Sequence, residues 1–144
     1  MSLFSAISVS ATGMSVQRTR AEVLAQNLAN ADTTRTQEGG PYKRRDVVFE
    51  SVDAGASFGS LLDEAGSGLT TVKVSEIRVD QQEGPKRYMP GHPDANADGY
   101  VAMPRINPAE DMVDLMGSSR GYQANVAAIS AVKDMIQRSI DLFR

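Results

Sequence analysis

Apolar and small residues recur every seven positions at the start of the chain. Ile7, Met14, Ala21 and Leu28 fall on one helical line, and Leu3, Leu24 and Ala31 fall on the complementary one. A stripe of this period predicts a long helix with a seam against another helix. Ser10 and Gln17 interrupt the seam, and Gly13 costs about 1 kcal/mol against Ala inside a helix, so the segment needs a packing partner to be stable. Asn30, Asp32 and Thr33 end it.

A second helix is predicted from position 107 to the end of the sequence. Asn107 stands at the N-cap, Pro108 at the first helical position and Glu110 at the third, a relative of the capping box. Glu110, Asp111 and Asp114 place negative charge at the positive end of the helix dipole. The seam then steps by threes and fours through Met112, Leu115, Ser119, Tyr122, Val126, Ile129, Lys133, Ile136, Ile140 and Phe143. At 1.5 Å per residue such a helix reaches about 54 Å, which points to coiled-coil packing against the first helix, a neighbouring subunit, or both.

Between the helices the pattern changes from helical to alternating, with Gly, Pro, Thr and Val prominent. Val72 and Val74 share one phase and Ile77 and Val79 the other, so either a bulge lies near Ser75 and Glu76 or two short strands meet there. Further strands are expected at 45–50, 86–89 and 100–103. Residues 51–68 read as a flexible loop holding at most a short helix at 61–64. The expected fold class is α+β: residues 1–33 and 107–144 as two helical halves of one coiled-coil layer, and 34–106 as a β-rich insert.

Composition narrows the function classes. In 144 residues there are 15 basic and 18 acidic side chains, for a net charge of −3, with no basic stripe of the kind that binds nucleic acid. Cysteine is absent, which removes disulfides and thiolate metal sites. Aromatic residues make up 6% and Trp is missing, too little bulk for a thick globular core, so an elongated shape is expected. The first ten residues carry no basic side chain, and no apolar run approaches the roughly 20 residues that cross a bilayer. Neither a cleaved secretory signal nor direct membrane insertion is expected.

Asp94 to Gly99 reproduces the first half of a calcium loop, with oxygen donors at positions one, three and five and Gly at six. Position twelve, however, is Arg105, a cation where a bidentate carboxylate is required. A hairpin loop in which Asp and Asn cap local backbone groups and Gly99 takes a positive φ accounts better for the segment. His92 is the single histidine and lies between Pro-containing turns, where packing explains it better than base catalysis. No nucleophile stands in a triad-like context, so no enzyme and no cofactor is expected. Lys43-Arg44-Arg45 fits either a contact to an acidic partner or a solvated strand edge. Gly117 and Gly121, each costly in a helix, permit close approach of another backbone.

Four blocks of the sequence are more specific. Ala25-Gln26-Asn27-Leu28-Ala29-Asn30-Ala31-Asp32-Thr33 resembles the N-terminal signature of the axial rod and hook proteins of the bacterial flagellum. Arg120-Gly121-Tyr122-Gln123-Ala124-Asn125 resembles their C-terminal signature, with Gly121 where Ala is usual. Thr36 to Arg45 and Tyr88 to Asp94, running on to Gly99-Tyr100-Val101, narrow the resemblance to the small proximal-rod proteins. Gln37, Pro108 and Gly117 also depart from the pattern, where Pro, Val and Ala are usual.

The resemblance implies a structural subunit of the proximal rod, self-assembling into a hollow shaft that passes torque from motor to hook around the export channel. It implies export through the flagellar type III apparatus and a place in the periplasm. The implied partners are other copies of the chain, other proximal and distal rod proteins, and the adaptor and inner-membrane ring of the motor. It assigns inter-subunit or helix-packing roles to Ile7, Met14, Leu24, Asn27, Leu28, Asn30, Met112, Tyr122, Asn125, Val126, Ile129, Ile136 and Ile140. Contacts from the β insert are expected at Tyr42, Arg44, Arg45, His92 and Tyr100.

Overall fold

The computed structural model describes residues 3–53 and 70–142. Two long helices lie at the ends of this stretch and four strands between them, an α+β arrangement. Helix α1 spans Leu3–Ala29 and stops where Asn30 closes back on Gln26 and Asn27. Helix α2 spans Pro108–Asp141. Its start is the one the sequence announces: Asn107 is extended, and its side chain accepts the Ala109 amide. Leu142 forms the C-cap. Phe143, the last residue of the expected seam, lies outside the described residues.

The helices pair antiparallel. A Cβ at Gly13 would lie 2.9 Å from the Asn125 amide, and one at Gly121 would lie 3.1 Å from the Gln17 side chain. Arg20 reaches Asp114 at 3.6 Å. Each glycine is therefore the hole into which a polar side chain of the opposite helix fits.

Strands β1 (Arg45–Asp53) and β2 (Thr70–Val79) form an antiparallel hairpin that packs on α1. The register runs from Arg45 opposite Val79 to Val48 opposite Glu76, then resumes with Phe49 opposite Val74. Ser75 is thus the extra residue of a bulge, which is why the apolar phase of β2 flips there and one strand, rather than two, covers the segment. Strand β1 continues through Asp53, so Ser51, Val52 and Asp53 are strand and not the start of a loop. The rest of the expected loop, with the helix expected at 61–64, lies outside the described residues.

Strands β3 (Lys86–Tyr88) and β4 (Tyr100–Ala102) form a second small hairpin, each one residue shorter than the sequence suggests. Its connection is tied down by Asn96, whose Oδ1 accepts the amides of Asp98 and Tyr100, and by Gly99 at φ +80°. Val101, 1% exposed, is the most deeply buried apolar side chain described.

The core is thin. Val16, Val23, Leu24, Val101 and Val132 are the buried aliphatic side chains among the described residues, whereas sixteen large apolar ones are exposed. Burial of an apolar side chain contributes roughly 1.5–3 kcal/mol. A subunit that hides so few has much of its stabilising surface still open.

Candidate assembly interface

Helix α2 turns its more polar stripe inward. Asp111, Ser118, Asn125 and Val132 lie on one line and face α1 or the insert; the first, second and fourth are buried. Ser118 Oγ donates to the Asp114 carbonyl, and Asn125 Nδ2 donates to that of Gly121. The seam read from the sequence sits one residue further on and is largely on the outside. Met112, Tyr122, Val126 and Ile140 are exposed, along with Val113, Met116 and Met135. Leu115, Ile129 and Ile136 sit on the border and are half-buried.

On α1 the inward stripe is Val16, Val23, Leu24 and Asn27, all buried. Ile7, Met14 and Leu28 are half-buried beside it. Val16 and Val23 do not belong to the sequence-derived seam. Their seven-residue spacing, continued by the step of four to Asn27, was the available signal, obscured by the more regular Ile7-Met14-Ala21-Leu28 repeat. At the open end of the pair, Leu3, Phe4, Ile136, Ser139 and Ile140 line an apolar cleft of about 280 Å³.

Two contacts fix the insert to the helices, and a third ties its second hairpin to the segment after α1. Asn27, fully buried, donates through Nδ2 to the Arg45 carbonyl at 2.8 Å. Its Oδ1 accepts the Arg45 amide at 3.0 Å and the Tyr42 hydroxyl at 3.1 Å. The Arg45 guanidinium lies 5.9 Å from the centre of the Tyr42 ring, and burial raises the Tyr42 hydroxyl above its ordinary pKa against the lowering effect of Arg45. Asn30 acts locally, donating to the Gln26 carbonyl and accepting from Thr33.

Arg44 is the second contact. Its Nε pairs with Asp46 at 3.1 Å and its Nη2 lies 3.1 Å from Oδ1 of Asp111 in the first turn of α2. The Asp111 side chain has no exposed surface, and neither of its oxygens accepts an aligned hydrogen bond from the described residues, so the link to Arg44 is an ion pair without hydrogen-bond geometry. Burial pushes the Asp111 carboxyl upward, outweighing the opposing pull of Arg44. The sequence marked Asp111 only as a dipole-compensating acid, because nothing local shows that the insert brings a cation to it. In the run Lys43-Arg44-Arg45, only Arg44 turns inward; Lys43 reaches Gln81 at the surface.

The third contact joins the second hairpin to the segment after α1. Asp94 accepts from the Thr34 hydroxyl at 2.9 Å and pairs with Arg35 at 3.4 Å. His92 Nδ1 accepts the Asp94 amide at 3.1 Å. The calcium-loop residues are thus engaged with protein partners: Asp94 with Thr34 and Arg35, Asn96 with two backbone amides. Among the described residues no cluster of three or more His, Cys, Asp or Glu side chains is arranged to hold a metal, and no helix is long and apolar enough to cross a membrane. Tyr100 is exposed and meets Tyr88 edge-on, with centroids 5.3 Å apart.

Two terminal helices joined into one pair, with a small β insert pinned to them and an uncovered apolar flank, describe a subunit built for packing. Residues 7–37 match the family model "Flagella basal body rod protein", and residues 97–142 match "Flagellar basal body rod FlgEFG protein C-terminal". The chain belongs to the flagellar basal-body rod proteins. Flagellar basal-body rod protein FlgC of Bacillus subtilis (strain 168) is 41% identical, with 99% of each chain covered. FlgC of Borreliella burgdorferi is 36% identical over 100% of this chain and 99% of its own. FlgC of Salmonella typhimurium is 35% identical over 99% of this chain and 98% of its own. Within the rod proteins the chain is a member of the FlgC family.

Proposed function

We propose that this chain is a structural subunit of the flagellar basal-body rod, stationed in its proximal part, and that it works through contact area and not through chemistry. The observation that carries the reading is the exposed apolar flank of α2, Met112, Met116, Tyr122, Val126 and Ile140, on a subunit with so small a core. Each such side chain covered by a neighbour contributes roughly 1.5–3 kcal/mol, so assembly supplies stability that the free subunit lacks. Family membership and the sequence blocks at 36–45 and 88–101 support the proximal position.

In this reading residues 1–33 and 107–144 form an inner helical layer around the export channel, and 34–106 lie outside it and transmit torque. The neighbours are further copies of the chain, the other proximal and distal rod proteins, and the adaptor and inner-membrane ring of the motor. The subunit reaches the periplasm through the flagellar type III apparatus. Asn27, Arg44 and Asp111 serve this role indirectly by holding the insert at a fixed angle to the helices.

The test is deletion of the gene in its host, followed by restoration with a tagged copy and fractionation of basal bodies. Loss of swimming on deletion, with the tag recovered in the rod fraction, is the expected result. Normal swimming in the deletion strain, in the absence of a duplicate gene, would overturn the proposal.

A further inference from the structure

Of the basic run at 43–45, Arg44 pairs with Asp46 and Asp111, and Arg45 lies over the Tyr42 ring. Lys43 is left over, and it lines a cleft of about 360 Å³ between the two hairpins of the insert. Residues 41–44 form one wall, residues 80–84 another, and Lys86, Ala102, Met103 and Arg105 a third. Backbone bonds hold the walls, from the Asp80 amide to the Arg44 carbonyl at 2.8 Å and from the Met103 amide to the Pro85 carbonyl at 3.0 Å. Gly84 runs so close to Met103 that a Cβ would overlap its carbonyl oxygen. The cleft is therefore built into the joint of the hairpins.

Four cations line it, Lys43, Arg44, Lys86 and Arg105, against two carboxylates, Asp80 and Glu83. Asp80 neutralises Arg105 at 3.0 Å, and Arg44 is held by its own two acids. The lysines are not neutralised. Lys43 meets the uncharged carboxamide of Gln81 at 3.0 Å, and the Lys86 ammonium has no ionic or hydrogen-bonding partner among the described residues. Glu83 offsets one of them at most, so the cleft is positive in a chain whose net charge is −3. An aromatic shelf adjoins it: Lys86 and Tyr88 share a face of β3, about 7 Å apart, with Ala102 and Tyr100 opposite them on β4. Tyr88 is 63% exposed and Tyr100 45%, so this face is open, whereas Val101 on the other face is buried.

We infer that this surface of the insert docks an extended acidic segment of a different rod protein, with carboxylates at Lys43 and Lys86 and an apolar side chain against Tyr88 and Tyr100. This rests on the rod-subunit reading and adds the chemistry of one neighbour. Charge selects the acid, because the two free ammonium groups repel a basic segment and attract a carboxylate. Spacing selects an extended chain, whose alternate side chains stand on one face at the same interval of about 7 Å that separates Lys86 from Tyr88. Copies of this chain are poor donors of such a segment. On its strands the acids with an apolar residue two positions on are Asp46 and Glu50, and both are already paired, with Arg44 and Lys73.

The test is carbodiimide cross-linking, which joins an amine to a carboxylate in contact with it, applied to isolated basal bodies and to the dilute full-length chain. Lys73, 3.3 Å from Glu50 of its own subunit, is the internal standard and should couple to it in both samples. Lys43 or Lys86 should couple to an Asp or Glu of a different rod protein in basal bodies, and should not in the dilute chain. Lys43→Glu combined with Lys86→Glu should leave the melting temperature of the purified chain unchanged and abolish its incorporation, whereas Arg at both positions should preserve incorporation. Tyr88→Ala should lower incorporation as well. The inference fails if Lys73 couples while Lys43 and Lys86 stay free in basal bodies, or if they couple to a second copy of this chain or to a polymer that is not protein. Normal incorporation of the double Glu variant sinks it too, and normal incorporation of Tyr88→Ala removes its aromatic half. The parent chain is still recovered in basal bodies in each of these cases, so the rod reading stands; only its absence there removes that reading.

Discussion

Asn27 holds Arg45 by both polar groups of its backbone, donating to the carbonyl at 2.8 Å and accepting the amide at 3.0 Å, while Tyr42 supplies a third bond at 3.1 Å. A carboxamide is the side chain that donates and accepts in one plane, which is what a strand's first residue offers. The hairpin therefore begins at a fixed point on α1. Asn27→Ala leaves these groups unpaired at about 1–3 kcal/mol for each that stays dry, and a melting temperature several degrees lower is expected. Asn27→Asp keeps the acceptor but sets a carboxylate against the Arg45 carbonyl. It should be equally destabilising at neutral pH and recover in acid, where the protonated group donates again. A loss that does not depend on pH in the Asp variant would contradict this account.

Asp111 makes the fold sensitive to acid in an unusual direction. Its carboxyl is raised by burial, against Arg44. A carboxyl with a raised folded value is destabilising while ionised, so its contribution improves as pH falls through that value. Asp80 behaves oppositely. The amide of Gln82, then Arg105, hold it below its ordinary value, so its stabilisation is present above the ordinary carboxylate range and is lost as pH falls through the lowered one. Asp111→Asn should be at least as stable as the parent at neutral pH, with the difference closing on acidification. Arg44→Met strands the carboxylate, costing about 3–5 kcal/mol at neutral pH, and the double variant should recover most of it. Denaturant titrations at several pH values decide this; a difference between Asp111→Asn and the parent that widens in acid would be the contrary result.

The elements were legible in the sequence because each has a local cause. Asn107 and Pro108 start a helix by their own geometry, Ser75 flips the apolar phase of a strand, and Gly99 takes the positive φ that its loop requires. The facing of α2 was not legible. Periodicity finds the most apolar line on a helix, and that line is the flank left open, while the line against α1 carries Asp111, Ser118 and Asn125. In a subunit whose neighbours supply part of the core, hydrophobic pattern reports the assembled state. Asp111 was missed for a related reason: its partner Arg44 is brought to it by the insert across a long sequence separation.

Gly84 and Gly99 should be intolerant of a side chain for different reasons. A Cβ at Gly84 would overlap the Met103 carbonyl oxygen and lie 2.9 Å from the Arg105 amide nitrogen. Both are backbone atoms and cannot turn aside. At Gly99 the Cβ would press on the Tyr88 ring at 2.9 Å, which can shift, and come within 3.2 Å of the Pro90 Cβ, a milder crowding to which the positive φ adds roughly 1–2 kcal/mol. Gly84→Ala is therefore expected to lower the melting temperature more than Gly99→Ala. The reverse order in thermal melts would show that the second hairpin yields more easily than this packing implies.

Val126 and Leu28 separate folding from assembly. Val126 is 41% exposed on the outer flank of α2, so Val126→Asp should leave the free subunit within about 0.5 kcal/mol of the parent. Leu28 is half-buried beside the inward stripe of α1, and Leu28→Asp should weaken the helix pair itself. Both substitutions should abolish swimming, one through a soluble, folded subunit that is not incorporated, the other through a subunit already loosened. Helices of 27 and 34 residues with so little buried between them should also show less than full helicity in a dilute, verified monomer. Circular dichroism would then rise with assembly. Full helicity in the monomer, together with normal swimming of Val126→Asp, would mean that the outer flank contributes nothing and that the pair is self-sufficient.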